Sequence, residues 1–302
     1  NQHFLDRNNV VNPDLSIGNK PYLIMSYMDR TTASGSTALS LRLLLPDKSE
    51  AHRNIQFPGV GNIINIMLDN GKYKTAENMG VKIDDDAFNR FDIYAELLFE
   101  TNKKFNLTAI TEPDDMTVKH FADCLSVFKY VDFKEGARLI DVGTGAGFPG
   151  LVLLLARPDL DVTFLDGTGK KLAFIESVLS NVGLNGNILH SRAEEAGKDP
   201  LYREKFDFAT ARAVASLPVL CEYCIPFIKK GGSFISMKSA FSDDEIFSAS
   251  ASLRILGGKI ESDNVFDLVE NTRRRILIIK KISQTPSKYP RASAKISKNP
   301  LG

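Results

Sequence analysis

Long apolar runs and a secretory leader pattern are missing from this sequence, and cysteines are few. The apolar run Leu151–Ala156 is far shorter than the roughly 18 residues that a membrane-spanning helix needs. The first residues lack the basic, apolar and small-residue order of a signal peptide. Three cysteines do not make a disulfide framework. We therefore expect a cytoplasmic protein without a membrane partner.

The cysteine spacing also argues against a metal site. Cys221 and Cys224 form a C-x-x-C pair, but no second pair or histidine cluster accompanies them, and they lie on an apolar helical pattern. Zinc and redox sites need a fuller ligand set than this. We predict no metal ligands.

Acidic residues are absent from residues 271–302, which carry nine basic residues. Because the whole chain has a net charge of +1, residues 1–270 carry −8. A basic segment on an acidic body indicates a polyanion partner, although charge alone is equally compatible with a solvated, disordered tail. The basic residues are Arg273, Arg274, Arg275, Lys280, Lys281, Lys288, Arg291, Lys295 and Lys298.

The chain divides near Met79. In residues 1–78 the apolar residues show no sustained period, so we expect an extension of unknown role with little fold of its own and poor order. Residues 79–302 are predicted to be the functional domain. It comprises N-terminal helices (79–131, with helical periodicity at Asp84–Phe105 and Thr117–Val131), a core (138–282) and a basic C-terminal tail (283–302).

Strand and helix patterns alternate through the core, which predicts a parallel sheet with right-handed crossovers and helices on both faces. A short turn then separates Lys259–Leu268 from Arg274–Ile282, as expected for an antiparallel edge hairpin. The fold class is therefore α/β: the mostly parallel, seven-stranded, Rossmann-like sheet of class I methyltransferases. The five predicted parallel strands are Arg138–Val142, Asp161–Leu165, Asn187–His190, Phe206–Ala211 and Ser233–Met237. The helices between and after them are Pro149–Arg157, Lys170–Val182, Leu217–Lys229 and Asp243–Leu256.

A glycine-rich turn, Asp141-Val-Gly-Thr-Gly-Ala-Gly147, follows the first of these strands. Glycines at Gly143, Gly145 and Gly147 allow a ligand to approach the backbone, and the next helix N-terminus offers donors. Such a turn can also be purely structural, but its spacing favours a ligand.

The ligand predicted by this turn contains a nucleoside. Asp166 ends the second strand, where a carboxylate binds the ribose diol of either NAD or S-adenosylmethionine. Phe148 stands where a strict dinucleotide fingerprint has glycine, and with the hairpin it favours S-adenosylmethionine. Ser191–Glu195 follows the third strand, near the expected adenine position, and Arg212 follows the fourth.

Five stretches resemble the small-subunit ribosomal RNA methyltransferase G family, also called glucose-inhibited division protein B. The resemblance covers about residues 79–301, and the Gly-Phe-Pro-Gly at 147–150 is its most specific part. The stretches are Asn102–Ile110, Lys119–Leu125, Asp141–Leu151, Ala211–Ala215 and Tyr289–Arg291.

The resemblance implies methyl transfer from S-adenosylmethionine to N7 of one guanine in 16S rRNA, as naked rRNA or in the 30S particle. By analogy, Gly143 and Phe148 line the cofactor. Asp166, Gly167 and Thr168 lie near its ribose, Ala193 and Glu194 face adenine, and Arg212 faces the pocket. Lys119, His120 and Asp123 are expected near the pocket mouth. The proposed RNA contacts are Lys119, Arg273, Arg274 and Arg291.

Three positions depart from the family pattern. Lys119 and Ser239 stand where the family often has arginine and glycine, and Ala292 replaces a second arginine after Tyr-Pro-Arg. Lysine keeps the charge at position 119 but lacks the planar guanidinium fork.

N7 of guanine has a lone pair and no proton, so the reaction needs no general base. We assign no catalytic acid or base and expect His120 and Arg212 to orient the guanine or the methionine carboxylate.

We expect a monomer. The alternatives are a methyltransferase with a protein or small-molecule acceptor and a non-catalytic ribosome assembly factor. A nicotinamide oxidoreductase is disfavoured by Phe148.

Overall fold

The computed structural model describes residues 10–17, 20–31, 37–44, 50–56, 85–110, 117–240, 243–269 and 272–301, the first four ranges as backbone alone. These four ranges form an antiparallel sheet in the order β1-β2-β3-β4. The scattered apolar residues of 1–78 did not predict these strands; the role and order of the segment stay predictions. The strands are β1 (Val10–Ile17), β2 (Lys20–Thr31), β3 (Thr37–Leu44) and β4 (Glu50–Gln56).

A second, seven-stranded sheet forms the centre of the fold, in the order β10-β11-β9-β8-β5-β6-β7. Neighbours among β5 to β9 pair in parallel, whereas β11 pairs antiparallel with both β9 and β10. The predicted fold class is thereby confirmed. Its strands are β5 (Arg138–Val142), β6 (Asp161–Asp166), β7 (Asn187–His190), β8 (Phe206–Arg212), β9 (Ile228–Ser239), β10 (Gly258–Val269) and β11 (Thr272–Lys281).

The second strand of the hairpin lies inside the sheet, while the first forms its edge. Ile276, Leu277, Ile278 and Ile279 of β11 are all buried. A continuous apolar run is typical of a strand covered on both faces, whereas β10 alternates exposed and half-buried residues over much of its length.

Helices cover both faces of this sheet, as the alternation of patterns predicted. On one face lie α1 (Asp85–Asn102), α3 (Gly150–Ala156) and α4 (Gly169–Val182); the other carries α6 (Leu217–Cys224) and α8 (Ser250–Leu256). The remaining helices are the short α5 (Ala193–Ala196), α7 (Asp243–Ser248) and α9 (Ser293–Lys298). No helix within the described ranges has both the length and the hydropathy to cross a bilayer.

The helix predicted at Thr117–Val131 is irregular. It runs as a π-helical turn (Thr117–Ala122), one α-helical turn, α2 (Asp123–Leu125), and a 3-10 turn (Ser126–Lys129). Single π turns are common at functional sites, because they change the direction of nearby side chains. Here the irregularity carries His120 and Asp123, which both meet Arg212.

Much of the basic C-terminal segment is built into the fold. Residues 272–281 form β11, and the chain from Thr285 to Arg291 is held against the body. The Arg203 guanidinium donates to the carbonyl oxygens of Thr285 and Tyr289, at 2.7 Å each. The interpretation of residues 283–302 as a tail therefore needs correction: backbone acceptors and a buried carboxylate bind this segment, and charge composition does not reveal them.

Candidate functional site

The glycine-rich turn is fixed above the end of β6. Gly143, Gly145 and Gly147 have φ of +70°, +60° and +105°, in the region that glycine adopts readily. The amides of Gly143 and Thr144 donate to the Leu165 carbonyl at 2.8 and 3.0 Å. The turn is thus held rigidly between β5 and β6.

Asp141, at the end of β5, stabilises the turn through two hydrogen bonds. Its Oδ2 accepts hydrogen bonds from the Thr144 hydroxyl at 2.6 Å and the Gly150 amide at 2.9 Å. Burial raises the pKa of this carboxyl to about 6, and the two hydrogen bonds oppose the shift. A Cβ at Gly150 would lie 2.7 Å from Asp141 Cβ, which explains the glycine at that position.

Asp166 presents a partly satisfied carboxylate beside the turn. Its Oδ2 accepts from the Gly145 amide at 3.1 Å, and its Oδ1 accepts from the Thr168 amide at 2.8 Å. A carboxylate has about four acceptor sites, so these two bonds leave capacity for hydroxyl donors. The bonds also hold the carboxylate in one orientation.

A cavity of about 500 Å³ lies at the carboxyl ends of the parallel strands. That volume is within the range of small-molecule and cofactor pockets. We call the glycine-rich turn and the segments after β6 and β7 its first end. Its second end is defined as Leu107, Thr108, His120, Phe148 and Arg212.

Arg212 contacts several of the groups at the second end of the cavity. One terminal nitrogen donates to the Lys119 carbonyl at 2.9 Å and to Asp123 Oδ2 at 3.2 Å. The guanidinium carbon lies 4.8 Å from the centroid of the Phe148 ring, a cation–π distance. The next residue, Ala213, has φ of +56°, and such strain in a non-glycine residue is typical of functional sites.

His120 is stacked on Phe148 and hydrogen-bonded at both ring nitrogens. The ring centroids are 4.4 Å apart. Nδ1 lies 2.8 Å from a terminal nitrogen of Arg212, and Nε2 lies 2.8 Å from the Thr108 hydroxyl. Burial, reinforced by the positive charge of Arg212, lowers the pKa of His120 to about 3. The imidazole is therefore neutral at physiological pH.

Asp123 joins this cluster to the hairpin. It lies 3.2 Å from Arg212 and 3.3 Å from Nε of Arg274, on β11. Burial raises the pKa of the Asp123 carboxyl, while the two guanidinium groups oppose that shift. Two strands and the irregular helix thus meet in one charge network.

Most of the predicted cofactor residues line this cavity, and Gly147 is the exception. A Cβ at Gly147 would lie 2.8 Å from Leu151 Cβ and 3.2 Å from the Tyr94 hydroxyl, so this glycine allows close helix packing. Those that line the cavity are Gly143, Gly145, Phe148, Asp166, Gly167, Thr168, Ala193, Glu194 and Arg212.

The predicted RNA residues lie apart from the cavity and have different environments. Lys119 is half-buried, and its carbonyl accepts from Arg212. Arg273 is exposed and pairs with the exposed Asp267 at 3.1 Å. Arg291 makes a two-pronged contact with the fully buried Glu222, at 2.9 and 2.7 Å. The Arg291 guanidinium therefore has a structural role, as the partner of a buried carboxylate.

Several cavity residues carry no local sequence signal. Thr108 lies in a loop and Tyr223 on the apolar helix α6, and neither has a neighbour in sequence that suggests a ligand. For Thr108 the one available clue is its place within Asn102–Ile110. The lining residues without a predicted role also include Leu107, Val142, Thr144, Ala146, Leu165, Lys171, Ala213 and Val214.

The family model and two relatives of this chain carry the same name, rRNA small subunit methyltransferase G. A family model described as rRNA small subunit methyltransferase G matches residues 87–277. The ribosomal RNA small subunit methyltransferase G of Acetivibrio thermocellus is 48% identical over 228 residues, covering 75% of this chain and 93% of the relative. That of Clostridium beijerinckii is 43% identical, covering 76% and 96%. A solved methyltransferase structure from Pyrococcus furiosus has 15% identity and a TM-score of 0.44, covering 65% and 99%.

Proposed function

The chain belongs to the rRNA small subunit methyltransferase G family, and we propose that its cavity holds S-adenosylmethionine beside a guanine of 16S rRNA whose N7 accepts the methyl group. The protein is an S-adenosylmethionine-dependent rRNA methyltransferase. The observation that carries the site assignment is that one cavity is lined both by Asp166 and by the cluster of Phe148, His120 and Arg212.

The residues at the first end of the cavity suit S-adenosylmethionine. Asp166 retains acceptor capacity for a ribose diol, and Glu194 offers a second carboxylate for an exocyclic amine. A Cβ at Gly143 would lie 2.9 Å from the Val214 side chain, so glycine keeps the wall open there. When bound, this cofactor supplies an electrophilic methyl group on a sulfonium.

The second end of the cavity would hold the guanine. Phe148 gives an aromatic surface, and its ring is held by the stacked His120 ring and by the Arg212 guanidinium. N7 needs no deprotonation, so these residues act by orientation and by excluding water. Correct alignment alone is worth up to roughly 7–11 kcal/mol of the barrier. The target base must first leave its stack, which is easier in a loop than in a duplex.

We propose that basic residues outside the cavity contact RNA phosphates. The exposed Arg273 is a candidate, as is the half-buried Lys119. Arg274 and Arg291 pair with the buried carboxylates of Asp123 and Glu222 and serve to position them. The further candidates are the exposed Lys288, Lys295 and Lys298.

We propose that the enzyme is a monomer. We propose that residues 79–302 are the catalytic domain and that the enzyme acts in the cytoplasm without a membrane partner. The match at residues 87–277 lies wholly inside this domain. A molar mass of one chain by light scattering supports the monomer, and a mass of two chains contradicts it.

Methylation of rRNA from a strain that lacks the modification tests this function. The protein is incubated with labelled S-adenosylmethionine and either deproteinised rRNA or 30S particles, and 7-methylguanine is mapped. We expect one labelled guanine in 16S rRNA and loss of label with Asp166→Ala. Label in protein or small metabolites would indicate another acceptor, and cofactor binding without label would indicate an assembly factor.

A further inference from the structure

The loop after α1 places one hydroxyl group, that of Thr108, at the cavity. Asn102 holds the backbone of this loop: its Oδ1 accepts from the amides of Leu107 and Thr108 at 2.7 and 3.0 Å, and its Nδ2 donates to the Thr108 carbonyl at 3.0 Å. Thr108 is half-buried and lines the cavity with His120. The position of its hydroxyl is therefore fixed before any ligand enters.

The hydrogen bonds around Thr108 determine what its hydroxyl can do. Arg212 can only donate, so Nδ1 of His120 must accept and its proton must lie on Nε2. That Nε2–H donates to Thr108 Oγ1 at 2.8 Å. The Ile110 amide donates to the same oxygen at 3.1 Å. Both lone pairs of Oγ1 are used, and the hydroxyl hydrogen remains as a donor.

This arrangement makes a directional chain from Arg212 through His120 to Thr108. Each member donates to the next, and a charged donor at its start strengthens the later bonds. Among the described residues, no side chain or carbonyl accepts the Thr108 hydrogen. A ligand acceptor in the cavity would complete the chain.

We infer that Thr108 donates a hydrogen bond to O6 of the target guanine and thereby selects guanine over adenine. The inference rests on the proposed methylation of N7. Guanine carries the two acceptors N7 and O6 on one edge, whereas adenine has an amino donor in place of O6. Because N7 must keep its lone pair free for the methyl group, O6 is the acceptor that a donor at this site can use. Adenine would meet the hydroxyl hydrogen with its own N–H.

Thr108→Val and Thr108→Ser, combined with a base analogue, test this inference. The substrate is 16S rRNA ligated to carry guanine or 2-aminopurine at the mapped position, assembled into 30S particles where the enzyme requires them. 2-Aminopurine keeps N7 and lacks O6. The measured quantities are kcat/KM for methyl incorporation, the Kd for S-adenosylmethionine and the melting temperature.

For the wild-type enzyme we expect 2-aminopurine to lower kcat/KM about ten- to a hundred-fold, the usual value of one base-specific contact. Thr108→Val should show that same loss on guanine and no further loss on 2-aminopurine, with an unchanged Kd for S-adenosylmethionine. Thr108→Ser, which keeps the hydroxyl, should stay near wild type.

Three results would overturn the inference: normal activity of Thr108→Val on guanine, an undiminished penalty for 2-aminopurine in that variant, or a defect confined to cofactor affinity. A wild-type enzyme that forms no 7-methylguanine on any rRNA would instead refute the proposed function. If Thr108→Val lowers the melting temperature, the comparison of the two bases within that variant still decides the question.

Discussion

At the scale of single residues, burial separates arginines that look alike in the sequence. Arg273 and Arg291 both belong to the basic C-terminal segment. Arg273 forms an ion pair whose two side chains are 62% exposed, whereas the partner of Arg291, Glu222, is fully buried. Exposed pairs contribute little to stability, but removing one member of a buried pair leaves an uncompensated charge.

Arg291→Ala should therefore lower the free energy of unfolding by about 3 kcal/mol. The matched control Arg273→Ala should lower it by less than about 1 kcal/mol. Arg291→Lys should fall between them, because lysine keeps the charge without the planar fork. Urea denaturation measures all three. Equal losses for the two alanine variants would contradict the structural role of Arg291.

The neutral state of His120 predicts a pH dependence of stability. Its pKa is about 3 in the folded protein and 6.5 without perturbation, so the unfolded chain binds more protons between these values. The folded state is therefore favoured above pH 6.5 and loses this contribution as the pH falls toward 3. At pH 5 the loss amounts to about 2 kcal/mol.

His120→Gln isolates this effect, because an amide can accept from Arg212 and donate to Thr108 without titrating. Relative to wild type, the variant should gain about 2 kcal/mol of unfolding free energy on going from pH 7.5 to pH 5. Denaturation curves at both pH values measure the difference. A difference independent of pH would show that folding leaves the pKa of His120 near its ordinary value.

At the scale of elements, the turn between β5 and α3 combines two kinds of glycine. Gly147 is required by packing, since a Cβ would lie 2.8 Å from Leu151 Cβ. Gly145 has φ of +60°, but the nearest atom to its Cβ position is 3.9 Å away, and the residue lines the cavity. Gly147 is therefore needed for packing, whereas Gly145 borders the cavity.

Gly147→Ala should destabilise the protein by about 2 kcal/mol or more, since it combines strain with overlap. Gly145→Ala should cost only about 1 kcal/mol of backbone strain and mainly weaken S-adenosylmethionine binding. Thermal unfolding and titration calorimetry distinguish the two. If Gly145→Ala binds the cofactor normally, the cavity at the turn is not the cofactor site.

At the scale of the whole molecule, an acidic body and a basic C-terminal segment still oppose one another, but fewer charges are free for RNA than the composition suggests. Arg274, Arg275 and Lys281 each contact a carboxylate of the body. Lys288, Lys295 and Lys298 are exposed. Lys295 and Lys298 lie on α9, whose Ser293 contacts Tyr223 of α6, a residue that lines the cavity.

Replacing these three lysines with glutamine should weaken rRNA binding and make its dependence on salt shallower. Loss of three phosphate contacts reduces the slope of log K against log salt by about 2. Filter binding between 50 and 200 mM KCl measures the slope. The control is Lys230→Gln, an exposed lysine at the amino-terminal end of β9, away from the carboxyl ends that border the cavity. An unchanged slope would place the RNA elsewhere.

The sequence alone determined the fold class and predicted where the site lies, because both depend on local patterns. Alternating apolar periods predicted the parallel sheet, and β5 and β7 have the bounds predicted for them. Glycine spacing and Asp166 predicted a ligand at the strand ends, where parallel sheets bind their ligands, and the structure has a cavity there.

Tertiary structure decided which residues of each motif face the cavity and which support it. Gly147 and Gly145 share a motif, as Arg273 and Arg274 share a strand, yet each member of these pairs has a different environment. The chain of donors from Arg212 to Thr108 joins residues 104 positions apart in the numbering of the sequence. Such contacts depend on packing between distant segments, and no local pattern encodes them.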